Sequence, residues 1–360
     1  MEQQHINKLN SDITTLFRQA LSLSLRHIHL LPHFTKAFFH QRSALKRREM
    51  HLKAGTHVPP FMIISVTNKC NLKCSGCYSH AQNTIGSKEM SPEKLDGLLK
   101  EARELGISMV LVSGGEPLLV PGLLETLKRF PEIIFILFTN GTQFTSSVLA
   151  ELKKSKHIMP VLSIEGLKSH TDLRRGSGIF DTVKDSMAVL KQLGILYGLS
   201  FTVTTENFNF VFNEQLVKES IAGGCGLFFF VEYVPADQKS EHLVISEGQR
   251  KVLIAEFERL RSTNNALFFS FPSGEEDYGG CLAAGRGFIH VNPAGSIEPC
   301  PFAQLSDTDL SKATLKEALN SKFLKAIRDN HGMLKETAGG CALYTNREFV
   351  RSLLKNVETQ

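Results

Sequence analysis

Six short apolar runs, each leading into a segment of helical period, constrain this chain more than any other feature. They lie at residues 61–67 (FMIISVT), 107–117 (ISMVLVSGGEP), 132–142 (EIIFILFTNGT), 158–166 (IMPVLSIEG), 196–207 (LYGLSFTVTTEN) and 226–235 (GLFFFVEYVP). Such runs read as strands buried on both faces, the pattern of a parallel sheet. Between the first two, Leu95, Leu98, Leu99, Ala102 and Leu105 recur at helical spacing, with Ser91 as N-cap, Pro92 at the first helical position and Gly106 at the stop. Further helices are predicted near 121–130, 145–156, from Asp181 as a cap to Gly194, at 212–223 and at 246–262. Right-handed crossovers curl this series, so the expected fold class is α/β, a partial (β/α)6 TIM-like barrel.

Polar, glycine-bearing stretches end these runs: TNKC, SGGEP, TNGT, SIEG, TVTTEN and EYVP. Parallel barrels bind ligands at the carboxyl ends of their strands, so six polar ends converge on one expected site. The barrel is assigned to 59–265. Residues 1–58 form a helical N-terminal segment, broken near Pro32, with Leu16, Leu21, Leu23, Leu30 and Phe38 on apolar faces. Packing on the main domain is the plain reading of these helices, and a membrane-surface or partner-docking element is the other. Residues 266–360 are read as a small extension against the open side, with a hairpin at 287–302 that turns at Asn292–Gly295.

Composition excludes several classes. The 360 residues are 42% hydrophobic and 21% charged, which suits a globular chain rather than a disordered one. A net charge of +5 without a dense Lys/Arg run, and with no Trp, gives no nucleic-acid surface. The start MEQQHINKLN lacks a secretory pattern, and no window of about 18 apolar residues suggests a span. Seven cysteines, an odd number, fit a reducing compartment, so a cytoplasmic location is expected.

Three of those cysteines, Cys70, Cys74 and Cys77, fall at the end of the first strand in TNKCNLKCSGCYSHA. Thiolates select zinc, copper(I) or iron-sulfur centres. Zinc usually takes paired knuckles, whereas one loop with three thiolates can hold three corners of a cubane and leave the fourth iron open. Zinc completed by a residue such as His80 is the competing reading. The pattern Cys70-x-x-x-Cys74-x-x-Cys77 followed by Tyr78 resembles the signature of radical S-adenosylmethionine (SAM) enzymes, and GGEP at 114–117 resembles that family's second motif.

The resemblance implies a [4Fe-4S] cluster on Cys70, Cys74 and Cys77, whose open iron SAM chelates. Reductive cleavage of SAM would give methionine and a 5'-deoxyadenosyl radical that takes a substrate hydrogen. It also implies that Tyr78, Gly114, Gly115 and Glu116 border the SAM site. Asn140, Ser163, Glu165 and Arg175 would contact its ribose or carboxylate, with Thr204 and Asn207 beside them from the fifth strand. Arg174 and Arg175 can also be read as a solvated charge pair. Expected partners are a peptide or small-molecule substrate and an electron donor such as flavodoxin or ferredoxin.

Cys281, Cys300 in GSIEPC and Cys341 in GGC resemble the extensions called SPASM or twitch domains, which hold auxiliary [4Fe-4S] clusters. The dense further cysteines of SPASM domains are missing between 300 and 341. One auxiliary cluster on these three thiols is therefore expected, its fourth ligand being substrate, another residue or Cys225. Reduced structural thiols and zinc are the alternatives for this trio. The substrate is expected to be a peptide or a natural-product or cofactor precursor, with Glu232, Tyr233 and Tyr278 near the mouth. A non-catalytic iron-sulfur carrier or redox sensor on the same barrel is the reading from another class.

Overall fold

A computed structural model describes all residues except 1–2, 25–27, 82–88, 236–237, 273, 335–340 and 360. Two long helices come first, α1 (Gln3–Ser24) and α2 (Leu31–Lys53), with Pro32 in the first turn of the second. The six expected strands follow: β1 (Phe61–Ser65), β2 (Met109–Ser113), β3 (Ile134–Thr139), β4 (Ile158–Ser163), β5 (Tyr197–Val203) and β6 (Cys225–Glu232). They pair in sequence order and all in parallel, curling into a half-barrel.

The connecting helices are α3 (Tyr78–Ala81), α4 (Pro92–Leu105), α5 (Leu123–Leu127), α6 (Ser146–Lys154), α7 (Lys168–Arg175), α8 (Ile179–Gln192), α9 (Phe208–Val211), α10 (Glu214–Ala222) and α11 (Glu247–Thr263). The Ser91 side chain accepts from Lys94 N, and Gly106 ends α4 at φ +95°, the left-handed stop that the sequence predicts. Asp181 is not a cap. Gly178 at φ +80° starts α8, and Asp181 lies in its first turn, where it ion-pairs with Lys168.

The region after residue 265 departs from expectation. Its strands β7 (Leu267–Phe271) and β8 (Phe288–Val291) extend the barrel sheet itself, β7 in parallel on β6 and β8 in parallel on β1. The expected hairpin is present, since β8 pairs antiparallel with β9 (Ile297–Glu298). Its first strand also completes the sheet edge beside the cysteine loop. Strand period reports burial but not which distant edge a strand joins, so this pairing was not legible. Among the described residues, α12 (Leu315–Leu319), α13 (Lys322–Asp329), α14 (Ala342–Thr345) and α15 (Arg347–Glu358) follow.

Strand residues alternate between two cores. Val110, Val112, Phe135, Leu137, Leu199 and Phe228 meet the outer helices through Leu98, Leu99, Leu152 and Val183. Met109, Ile134, Ile136, Met159, Val161, Leu227 and Phe229 face the concave side. There Leu9, Ile13, Phe17 and Leu23 of α1 and Phe34 and Ala37 of α2 cover them. Each fully buried side chain of this kind contributes about 1.5–3 kcal/mol. The N-terminal helices thus fill the end of the half-barrel where strands begin and leave the carboxyl ends to the loops. Among the described residues no helix is long and apolar enough to cross a membrane.

Candidate active site

The cysteine loop is pinned to the head of β2 by backbone alone. Gly115 N donates to Thr67 O at 2.7 Å and Glu116 N to Lys69 O at 2.8 Å. A Cβ on Gly114 would lie 2.4 Å from Thr67 O, and one on Gly115 2.0 Å from Lys69 O. Only glycine lets the two segments approach this closely, which gives the GG of GGEP a structural reason. The Glu116 carboxylate is fully buried and accepts from Thr139 Oγ1, Asn140 N and Leu118 N. Burial pushes its pKa up, and these donors oppose the shift.

Cys70, Cys74 and Cys77 are half-buried and lie within charge reach of one another. Leu72 N donates to Cys70 Sγ at 3.4 Å and Asn140 Nδ2 at 3.9 Å. Burial raises the Cys70 and Cys74 thiols, and the Arg175 and Arg174 guanidiniums pull Cys74 back down. At the far side of the loop Ser75 N donates to Arg174 O. Gly76, at φ +64°, gives way to the Tyr233 ring, whose hydroxyl would lie 2.5 Å from an added Cβ. Among the described residues that hydroxyl has no hydrogen-bond partner, and Tyr233 is buried against the loop.

The other expected contacts form a linked set. Glu165, 1% exposed, accepts from Arg174 NH1 at 2.7 Å, Arg175 Nε at 2.8 Å and Thr202 N at 3.1 Å. Asn207 Oδ1 accepts from Thr204 N and Oγ1, and Asn207 Nδ2 reaches Glu165 and Thr202 O. Asn140 Nδ2 holds Asn71 Oδ1, and its Oδ1 accepts from Thr142. Glu165, Thr204, Asn207 and Asn140 thus spend their polar atoms on one another and on the loop. Ser163 is half-buried at the end of β4. Arg174 is no solvated charge, because both guanidiniums converge on one buried carboxylate.

The second trio is assembled by the fold. Cys281, Cys300 and Cys341 are all buried. The Cys300 thiol hydrogen-bonds Cys341, which raises Cys300 and lowers Cys341, while burial raises Cys281. Cys225 is elsewhere, at the start of β6, its thiol donating to Leu227 O at 3.3 Å. Burial drives its pKa far up, as for an inert core thiol.

Tyr78 connects the two trios. It follows Cys77, packs edge-on against Phe302 at 5.3 Å, and its hydroxyl, pushed up to about 12 by burial, bonds Ser113 and Ser65 near Cys300. Sequence reading missed what stands behind it. Ser65 Oγ meets His290 Nε2 at 2.8 Å, and His290 Nδ1 meets Glu298 Oε2 at 2.7 Å, all three buried. His290 and Glu298 face each other across the β8–β9 hairpin, so the hairpin register was the signal that could have found them. Glu232 pairs with Arg250, and Tyr278 donates to Asp12 of α1, so neither of these residues is placed as a group aimed at the cysteine loop.

The donor chemistry of the first trio fits a cluster. Among the described residues no three His, Cys, Asp or Glu side chains are drawn together as for a single metal ion. Zinc would require thiolates closed tetrahedrally at about 2.3 Å from one ion. At the first trio, thiols backed by N–H donors and two guanidiniums suit an anionic iron-sulfur centre.

A parallel half-barrel with a three-cysteine loop at the head of its first strand defines the class. The model of the Radical SAM superfamily matches residues 64–210, and this chain belongs to that superfamily of enzymes. Its members use a [4Fe-4S] cluster and SAM. The chain is 23% identical to an AdoMet-dependent heme synthase of Methanosarcina barkeri, over 81% of this chain and 89% of that one. It is 31% identical to an uncharacterised protein of Methanocaldococcus jannaschii, over 67% of this chain and 84% of the relative. In fold it matches Streptococcus suis SuiB with a TM-score of 0.64 at 19% identity, covering 81% of this chain and 74% of SuiB.

Proposed function

We propose that Cys70, Cys74 and Cys77 hold the SAM-binding [4Fe-4S] cluster, and that Cys281, Cys300 and Cys341 hold one auxiliary cluster. The observation that carries the first assignment is the pinning of a half-buried three-thiol loop onto the glycine pair at the carboxyl end of the half-barrel. When bound, cluster and SAM supply reductive carbon-sulfur cleavage and a 5'-deoxyadenosyl radical for hydrogen abstraction.

The chain's own residues orient and shield these groups. Gly114 and Gly115 leave backbone at the place where the SAM amino group is expected. Glu165 fixes Arg174 and Arg175 beside Cys74, so that Arg175 offers a cation to the SAM carboxylate or ribose face. Ser163, near the same rim, is the hydroxyl assigned to SAM, and Tyr78 walls the loop from the second trio. Asn140, Thr204 and Asn207 serve the same site from behind as positioning residues.

The substrate is a peptide or a natural-product or cofactor precursor. Alignment along 89% of a heme synthase supports the precursor branch. Reduction of the first cluster requires an electron donor such as flavodoxin or ferredoxin. The anaerobically reconstituted and reduced protein, incubated with SAM, is expected to release 5'-deoxyadenosine. A non-catalytic electron carrier with a verified cluster would release none.

A further inference from the structure

Helix α2 has two unlike faces. Phe34, Ala37, Gln41, Ala44 and Arg48 recur at helical spacing and are buried, so they form the inner face. Near the start of the helix, His33 and Phe34 line one small cavity with Ile158, Ile195 and Leu196, where β4 and β5 begin. Toward its end, Arg48 NH1 donates to Gly106 O at 2.7 Å, just before β2 begins. The helix therefore crosses the amino ends of the strands, at the end of the half-barrel opposite the cysteine loop.

The outer face is a mixed stripe of cations and apolar side chains. Lys36, Phe39, Arg42, Lys46, Met50 and Lys53 are all exposed on it. Phe39 is 61% and Met50 62% exposed, and Ile28, just before the helix, is 75% exposed. Among the described residues none of these four cations has an ion-pair partner, and Glu49 is the one acid of the helix. Helix α11 is a contrast. It exposes Val252 and Ile254, but its Lys251, Arg259 and Arg261 pair with Glu247, Glu256 and Glu258. Unpaired cations set among exposed apolar side chains match a surface that is anionic outside and apolar just beneath. A nucleic-acid backbone would match the charges and leave Phe39 and Met50 in water.

We propose that the outer face of α2 docks this protein on an anionic lipid bilayer. Since α2 is not apolar enough to cross a membrane, it lies in the headgroup plane, with Phe39 and Met50 inward and the cations against lipid phosphates. The cysteine loop, at the opposite ends of the strands, stays on the side away from the lipid. This docking goes beyond the reading of the site and stands without it.

Cosedimentation of the full chain with lipid vesicles tests this. Vesicles of phosphatidylcholine and phosphatidylglycerol in equal parts should bind it, phosphatidylcholine alone should bind it far less, and added salt should weaken the binding. Replacing Arg42→Gln and Lys46→Gln together should weaken it about 25-fold, at about fivefold for each cation. Phe39→Ser should weaken it about tenfold, since the ring no longer leaves water. These side chains are exposed, so both variants should keep the circular dichroism of the wild type, and Lys251→Gln on α11 should bind as the wild type does. Absence of binding to the mixed vesicles would overturn the proposal, as would binding that the α2 variants retain in full. A chain that held double-stranded DNA but not the mixed vesicles would overturn it too, by giving the face to a nucleic acid.

Discussion

The two cysteine trios of this molecule are built in opposite ways. Cys70, Cys74 and Cys77 sit on one loop, half-buried, with N–H donors and two guanidiniums around them. Cys281, Cys300 and Cys341 come from three segments spread over 61 positions of the chain, and all are buried. The first trio is ordered locally, by contacts a short loop makes with the next strand. The second needs segments before β8, after β9 and at the N-cap of α14 to meet. A site open on one side suits a centre that must admit a small molecule, and a closed one suits a centre that need not.

The largest effect should come from deleting a ligand of the open trio. Cys74→Ala should reduce 5'-deoxyadenosine release to background, well beyond the roughly 10–100-fold that an outer-shell partner costs. Cys300→Ala should leave SAM cleavage without substrate largely intact while turnover of substrate falls. Equal loss of both activities in both variants would erase the distinction between the trios.

Next in size is the charge support peculiar to the first trio. Glu165→Gln leaves Arg174 and Arg175 without their buried carboxylate, and breaking such a pair costs about 3–5 kcal/mol. Urea unfolding should show that loss, and SAM affinity should weaken with it. A change below about 1 kcal/mol would mean that solvent supports the arginines instead.

A smaller effect is expected at Asn140, which donates to Cys70 Sγ and to Asn71. Asn140→Ala should weaken cluster retention by about 10–100-fold without touching the second trio, as chelator-challenge kinetics followed by visible absorption would show. The smallest is a difference in thiol reactivity of the metal-free protein. Iodoacetamide at pH 8 should label Cys70, Cys74 and Cys77 about tenfold faster than Cys281, Cys300 and Cys341, because the first three are half-buried and the others buried from the reagent. Burial raises Cys70, Cys74 and Cys281, and the hydrogen bond to Cys341 raises Cys300, so labelling at these positions should climb as pH rises through and above the ordinary thiol range.

What the sequence revealed follows the same division. The strands, the α4 caps and the cysteine loop were legible because apolar period, capping residues and ligand spacing are local signals. The parallel docking of β8 on β1 and the Ser65–His290–Glu298 chain depend on pairings between distant segments. Asp181 shows the limit even at short range, since a left-handed glycine at Gly178 opens α8 before the acid can cap it. Glu165 and Asn207 were found by position, whereas their hydrogen bonds to Arg174, Arg175 and Thr204 depend on how β4, α7 and β5 meet.

Iron and acid-labile sulfide per chain, measured on the anaerobically reconstituted wild-type protein, test the two-trio account most directly. About eight of each per chain are predicted, from one cluster on each trio, whereas about four would contradict it by leaving only one trio loaded.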